Sequence, residues 1–263
     1  MARSLPVCDR HTAIIWALVL IGLAPALYLH LIHAINYDIA WLAIAAERLL
    51  QGGSMLRDAY EPNPPLSIIF MMPPVLLSWI TPLPLYICTT LYSTIIIFGS
   101  TLLCHALLRR LDFLDRHDVN IFCAAYLCAM IVFPSIDYGE RDHLVLAGVM
   151  PFMLWQIAFT FKRPLPPRLT SAILIVGPLF VLLKPHFGLL PTLLLLHRTI
   201  IQRRLFSIIR DPDFIALAVG VVIYITVTLL FFNDYVTQIL PAVLSIYIGM
   251  RETGLFELTA FYA

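Results

Sequence analysis

The sequence predicts an all-α polytopic membrane protein with about seven transmembrane helices, and three observations carry that prediction. Of 263 residues, 60% are hydrophobic and 13% charged, with a mean hydropathy of +0.89; a soluble domain carries about 25% charged residues. The apolar residues fall in long uncharged runs near the roughly 20 residues that a helical span requires. Lys and Arg alternate between the connecting loops in the manner of the positive-inside rule. A net charge of +1 and no clustered basic face give no sign of a nucleic-acid binder. The five cysteines, Cys8, Cys88, Cys104, Cys123 and Cys128, lie singly and read as small apolar residues, not as a disulfide framework.

The first run, Thr12–Ala34, follows a basic segment from Arg3 to Arg10. It is too long for a signal-peptide core and lacks an A-x-A-like cleavage site, so it is expected to be retained as a span. Leu83–Leu108, Val119–Ile136, Leu144–Phe161 and Phe214–Phe232 are further charge-free runs. Leu169–His197 reads as two short spans meeting near Lys184. Pro65–Ile80 is apolar but short, with Pro73-Pro74 at its centre. Proline removes a helical donor and clashes with the preceding turn, so a re-entrant or interfacial helix hairpin is expected there.

With the N-terminus cytoplasmic, 12 of the 17 Lys and Arg face the cytoplasm. The outer side then receives Ile35–Pro82, Asp137–His143, a turn at Lys184–His186 and Asn233–Ala263, and most of the acidic residues. Counting Pro65–Ile80 as a span with the N-terminus outside gives the same charge ratio; the Pro-Pro break favours the first arrangement. The chain reaches Ala263 through an aromatic stretch (Phe256, Phe261, Tyr262) inside an outer loop. It is therefore expected to be one membrane module, residues 1–263, from the N-terminal part of a longer protein.

The first outer loop is the informative one. From Asp38 to Gln51 the pattern suits a surface helix with Ile39, Leu42, Ala46, Leu49 and Leu50 on one apolar face. Asp38 suits its N-cap, and Gly52-Gly53 its C-terminal stop. The loop continues through Arg57, Asp58, Tyr60, Glu61 and Asn63 into Pro64-Pro65-Leu66. His30 and His33 sit one helical turn apart in the first span, as bundle-interior hydrogen-bond partners or cavity residues. Trp16, Trp41, Trp79 and Tyr235 read as interface anchors.

An Asp just after the first span, an amphipathic helix ending in a glycine pair and an acidic-aromatic stretch leading to Pro-Pro-Leu resemble the GT-C glycosyltransferases. The nearest branch is the protein O-mannosyltransferase and aminoarabinose-transferase group. Arg109-Arg110-Leu111 after the second span, the acidic loop Asp137–His143 and Lys184-Pro185 in a short outer turn fit in the same order. The resemblance implies a seven-span module with its active site at the outer surface of a plasma membrane, bacterial by this branch. It implies transfer of a sugar from a polyprenyl phosphate to a glycan, lipid or protein acceptor.

By the same resemblance Asp38 matches the catalytic base. A hydroxyl attacking an anomeric carbon must lose its proton, and a carboxylate in reach can take it. The departing phosphate needs cations where charge develops, for which Arg57, Arg141, Lys184 and His186 are the candidates. Asp58, Glu61, Glu140, Asp142 and His143 complete the substrate-binding set. The types of Glu140, Asp142 and His143 also suit a divalent metal, as in the oligosaccharyltransferase branch. The lipid-phosphate-sugar branch generally uses none, so no metal or other cofactor is expected. A transporter or flippase of a lipid-linked sugar is the alternative, since Pro-interrupted segments around a buried Lys also mark transporters; no internal repeat supports it. A non-catalytic membrane subunit is the third reading.

Overall fold

The computed structural model describes residues 10–33, 35–111, 114–203 and 208–252. Arg3, Cys8, Arg204, Glu257 and the aromatic stretch to Tyr262 lie outside them. Every regular element among the described residues is helical. The order is α1 (Arg10–Ile32), α2 (Tyr37–Leu50), α3 (Leu66–Ile80), α4 (Leu85–Leu108) and α5 (Arg116–Val132). There follow α6 (Arg141–Thr160), α7 (Pro167–Leu183), α8 (Leu189–Gln202), α9 (Pro212–Phe231) and α10 (Leu240–Glu252). Short 3-10 turns occupy Ser135–Asp137, Pro185–Gly188 and Ile208–Arg210, and a single π turn, Tyr235–Ile239, leads into α10.

α4, α6 and α9 are each long and apolar enough to cross a membrane, and α1 with α2 passes the same test as a pair bent by 58°. α5, α7 and α8 are shorter, at 17, 17 and 14 residues. Three or four spans therefore stand on length and composition, against the seven expected. The surfaces suit a lipid solvent. Only 6% of the apolar stretch of α9 is buried within the chain, against 67% for α6. A helix apolar all round yet unburied has no stable place in water. α6 is the central helix, packed against α4, α7 and α8. Its approach to α7 depends on small residues. A Cβ on Gly148 would meet Phe180 Cγ at 2.0 Å, and one on Gly177 would meet Phe152 Cγ at 2.5 Å. Such close helix contact is what small residues permit in lipid, where dispersion rather than water drives packing.

Two segments depart from expectation. Pro65–Ile80 is no hairpin: Leu66–Ile80 is one continuous helix with Pro73 and Pro74 inside it. Burial compensates for the lost helical bonds, because Ser67, Ile68, Phe70, Met71, Pro74 and Val75 pack into the core between α2 and α4. At 15 residues and 1.5 Å per residue it is about 22 Å long, short of a roughly 30 Å hydrocarbon core. Asn233–Ala263 is likewise not simply a loop, since its described part folds as the π turn and α10. There Asp234 Oδ2 accepts the Leu56 N–H at 3.0 Å, which ties this segment to the first loop.

Long-range contacts divide the bundle into two ends. Asn36 with Asp137, Ser67 with Arg141 and Asp142 with Lys184 define one. Trp16 with Asn120, Trp155 with Thr170, and Gln156 with Asp213 define the other.

Candidate functional site

The Asp38 end is assembled from the α1–α2 bend, the turn before α6 and the break between α7 and α8. At the bend, Asn36 and not Asp38 caps α2: its side-chain oxygen accepts the Asp38 N–H at 2.8 Å. The Asn36 amide also donates to Asp137 Oδ1 at 3.0 Å. Capping is thus done two residues earlier than the sequence suggested. The half-buried Asp38 carboxylate stands in the first turn of α2, where the helix dipole favours negative charge. Both Asn and Asp are good caps, so Ile35-Asn36-Tyr37-Asp38 offered two candidates and only geometry chose.

The turn before α6 is fixed by several contacts. Gly139 has φ +87°, and a Cβ there would stand 2.6 Å from Ser93 Oγ, so only glycine fits against α4. The Gly139 N–H donates to His143 Nδ1 at 3.0 Å. His143 Nε2 lies 2.8 Å from the Met130 carbonyl, which can only accept, so the proton resides on Nε2. His143 therefore spends both ring nitrogens on backbone, facing inward. Tyr138 stacks on His30, with centroids 3.9 Å apart and planes at 13°, and its hydroxyl meets Thr94 Oγ1 at 2.7 Å. Burial pushes the Tyr138 phenol up to about 12, against the lowering effect of the Thr94 bond.

The charged groups that follow are crowded. Burial raises the Glu140 pKa above the ordinary carboxylate range; Asp142, Asp137 and Asp38 raise it further, while Lys184 opposes them. That mutual influence places the predicted residues Asp38, Glu140, Asp142 and Lys184 in one electrostatic neighbourhood. Lys184 has extended backbone between α7 and the 3-10 turn. Its ammonium pairs with Asp142 Oδ1, as a charge contact and not an aligned hydrogen bond. Arg141 is 6% exposed. Its Nη1 donates to Ser67 Oγ at 3.1 Å, and its Nε has no partner among the described residues. Among the described residues no carboxylate forms an ion pair with this guanidinium. Ser67, at the start of the Pro-Pro-Leu helix, was not foreseen.

Other predicted residues stand apart. Arg57 and Asp58 lie beyond the far end of α2, one helix length or about 20 Å from Asp38. There Asp58 Oδ2 accepts the Ser54 N–H at 2.7 Å, and the Arg57 N–H donates to Ser54 Oγ at 3.1 Å. Both border an open hollow with Arg48 and Gly52-Gly53. Glu61 is 2% exposed. Its carboxylate accepts from Trp41 Nε1 at 2.7 Å, from the Asn63 N–H at 2.8 Å and from the Asn63 side-chain amide. It is fully used in holding the loop. His186 is exposed against the ring of Phe187. No group of three or more His, Cys, Asp or Glu among the described residues forms a metal-binding set.

A second polar cluster lies at the opposite end, where sequence alone shows only a basic loop. Arg198 Nη2 donates to Asp213 Oδ1 at 2.7 Å and Oδ2 at 3.0 Å, and pairs with Asp211 at 2.8 Å. Gln156 Nε2 donates to Asp213 Oδ2 at 2.8 Å. Arg198 is 1% exposed and Asp213 fully buried. The spacing of Arg198 and Asp213 across two helices left no periodic signal.

No protein-family model, curated protein or solved structure matches this chain.

Proposed function

We propose that the protein is a membrane glycosyltransferase that moves a sugar from a polyprenyl phosphate to an acceptor hydroxyl or amine at the Asp38 end. One observation carries this reading. Asp38, released from capping by Asn36, shares its neighbourhood with Lys184, beside a buried Arg141 that has no carboxylate partner among the described residues. A base and cations for a leaving phosphate are the two needs of the reaction.

In the proposed reaction Asp38 takes the proton of the acceptor as its oxygen or nitrogen bonds to the anomeric carbon. The bond from that carbon to the phosphate oxygen breaks, and its electron pair leaves on the polyprenyl phosphate. Lys184 exchanges its half-exposed partner Asp142 for the phosphate. Arg141 stabilises the same charge from its buried position, held by Ser67. Arg57, Asp58 and Glu61 keep the first loop in shape.

The membrane arrangement belongs to the same proposal. α1, α4, α5, α6, α7, α8 and α9 cross the bilayer. α2 and α3 lie at the outer face with Asp38, and the Arg198 end faces the cytoplasm. Short α7 and α8 are then expected to meet below the outer interface around Lys184. An ammonium is tolerated at such a depth when it faces water or an anion.

Purified protein in nanodiscs, supplied with polyprenyl-phosphate sugars labelled in the sugar, tests the reading. Release or transfer of label, abolished in Asp38→Asn, is expected. Movement of intact donor between leaflets without cleavage would replace the transferase with a transporter of lipid-linked sugar.

A further inference from the structure

Beside the acidic cluster lies a cavity of about 410 Å³ between α1, the start of α4 and the turn after α5. Its size falls within the roughly 300–1,000 Å³ of small-molecule sites. Its walls change character from one side to the other. Ala26, Leu29, Val132 and Ile136 make an apolar side. Leu29, Val132 and Ile136 are exposed, and Ile32 and Phe133 extend that apolar surface outward. The inner side carries His30, Thr90, Ser135 and Tyr138, and His33, bonded through Nδ1 to the Leu29 carbonyl at 2.9 Å, adds a second imidazole.

This polar side is built and not incidental. Tyr138 is held flat on His30 and bonded to Thr94. His30 Nε2 meets the Ile131 carbonyl at 2.7 Å, so it carries the proton, and Nδ1 is left to accept from a ligand. Ile35 lines the same cavity, and the next residue, Asn36, links Asp137 to the start of α2. The cavity lining therefore reaches to within three residues of Asp38 along the chain.

We infer that this cavity is the acceptor subsite, and that the acceptor is a membrane lipid with a hydroxylated headgroup bearing no net negative charge. The inference rests on the proposed transferase activity and names its acceptor class. The lipid character follows from the exposed apolar side. A chain lying along Leu29, Val132 and Ile136 remains in hydrocarbon, while a water-soluble acceptor gains nothing from those side chains. The headgroup's charge follows from the neighbours. Asp137 lies between two lining residues, Ile136 and Tyr138, and a phosphate or carboxylate placed beside it meets like charge. Hydroxyls suit the acceptor nitrogen of His30 and the hydroxyls of Thr90 and Ser135.

The test is photo-crosslinking of the full chain in phosphatidylcholine nanodiscs. The probe is a diacylglycerol bearing one neutral hexose and a photoreactive acyl chain; the comparator is phosphatidic acid with the same chain. Expected is labelling of 24–33 and 130–138 by the glycolipid, at least fivefold above the phosphatidic acid. Ala26→Phe, which fills the cavity, and Leu29→Gln, at an exposed position where folding is not at stake, are each expected to cut that labelling at least threefold. Equal labelling by both lipids, or labelling indifferent to both variants, overturns the inference. Because crosslinking needs no turnover, it is independent of the donor-cleavage assay. Cleavage without crosslinking here removes the lipid acceptor and leaves the transferase; crosslinking without cleavage removes the transferase, and with it the acceptor role.

Discussion

Arg198 and Arg141 are both buried guanidiniums in the helix bundle, at opposite ends of α6, and their surroundings differ. Arg198 meets Asp213 with a two-oxygen contact, adds Asp211, and lies over the Phe159 ring with Cζ 4.9 Å from its centroid. Asp213 in turn receives Gln156. Burying charge is costly unless partners satisfy it; here two carboxylates meet the cation, while Arg198 Nε and Nη1 and Gln156 Oε1 have no partner among the described residues. Arg141 has one hydroxyl, Ser67, while the nearby acids repel one another. One end pairs its cation with carboxylates of the same chain. The other retains a cation, Arg141, that meets one hydroxyl and no carboxylate among the described residues. Incomplete pairing in a buried site is the pattern expected where a ligand supplies the missing charge.

Removing one partner at each end should break the comparison open. The largest effect is expected from Arg198→Met, which leaves Asp213 buried without its cation, at a cost of about 3–5 kcal/mol. Thermal unfolding in detergent should register that loss. Arg198→Met combined with Asp213→Leu should recover much of it, since an apolar pair of similar volume often replaces a buried ion pair. A double variant as unstable as the single would mean that the cluster does more than satisfy itself.

At the Asp38 end the same kind of change should cost activity and little stability. Asp38→Asn is expected to slow transfer by roughly 100-fold or more. Asn36 performs the capping, so the stability change should stay within the roughly 0.3–1 kcal/mol of a lost dipole interaction. Undiminished turnover by the Asn variant would assign the base to another residue.

Lys184→Gln is expected to weaken donor binding by roughly 10- to 100-fold, in line with about 1.5–3 kcal/mol for a hydrogen bond to a charged group. Lys184→Arg should retain part of it. Donor titration on purified protein in nanodiscs measures both, and equal affinity in wild type and Lys184→Gln would return Lys184 to a purely structural pair with Asp142.

Glu140 should give the smallest effect and a sign peculiar to this end. Its pKa is raised in the folded protein by burial and by its acidic neighbours. A carboxyl so raised favours folding when protonated, and that contribution is lost as pH rises through its folded pKa. Glu140→Gln should therefore melt at or slightly above the wild type at pH 7, with the gap closing as pH falls towards 4. A variant that melts lower at pH 7 would mean that the Glu140 carboxylate is held by a favourable partner.

Much of the helical layout was legible, because helices in an apolar chain announce themselves by length and by charge at their ends. The breaks at Ile35, Pro82 and Lys184 were readable for that reason. Asp38, Glu140, Asp142 and Lys184 were each named from the sequence as candidates, and the structure sets them in one electrostatic neighbourhood. What sequence missed was mostly partnership. Asn36 replaced Asp38 as cap, Ser67 took Arg141, and Trp41 with Asn63 consumed Glu61. Arg57 and Asp58 shared a loop with Asp38, yet the length of α2 carried them away from it.

The sequence by itself determined that the chain is helical, apolar and divided into short charged connections, since hydropathy and charge spacing are local properties. Only the tertiary structure decided which carboxylate is idle and which is spent. Asp38, Glu61 and Asp213 are the same chemistry in one dimension. They differ because the donors that reach them, or fail to, come from residues as distant in the chain as Gln156 and Arg198 are from Asp213. Proline in α3 makes the same point. Its local cost is fixed by the missing N–H, and its acceptance depends on the core that α2 and α4 build around it.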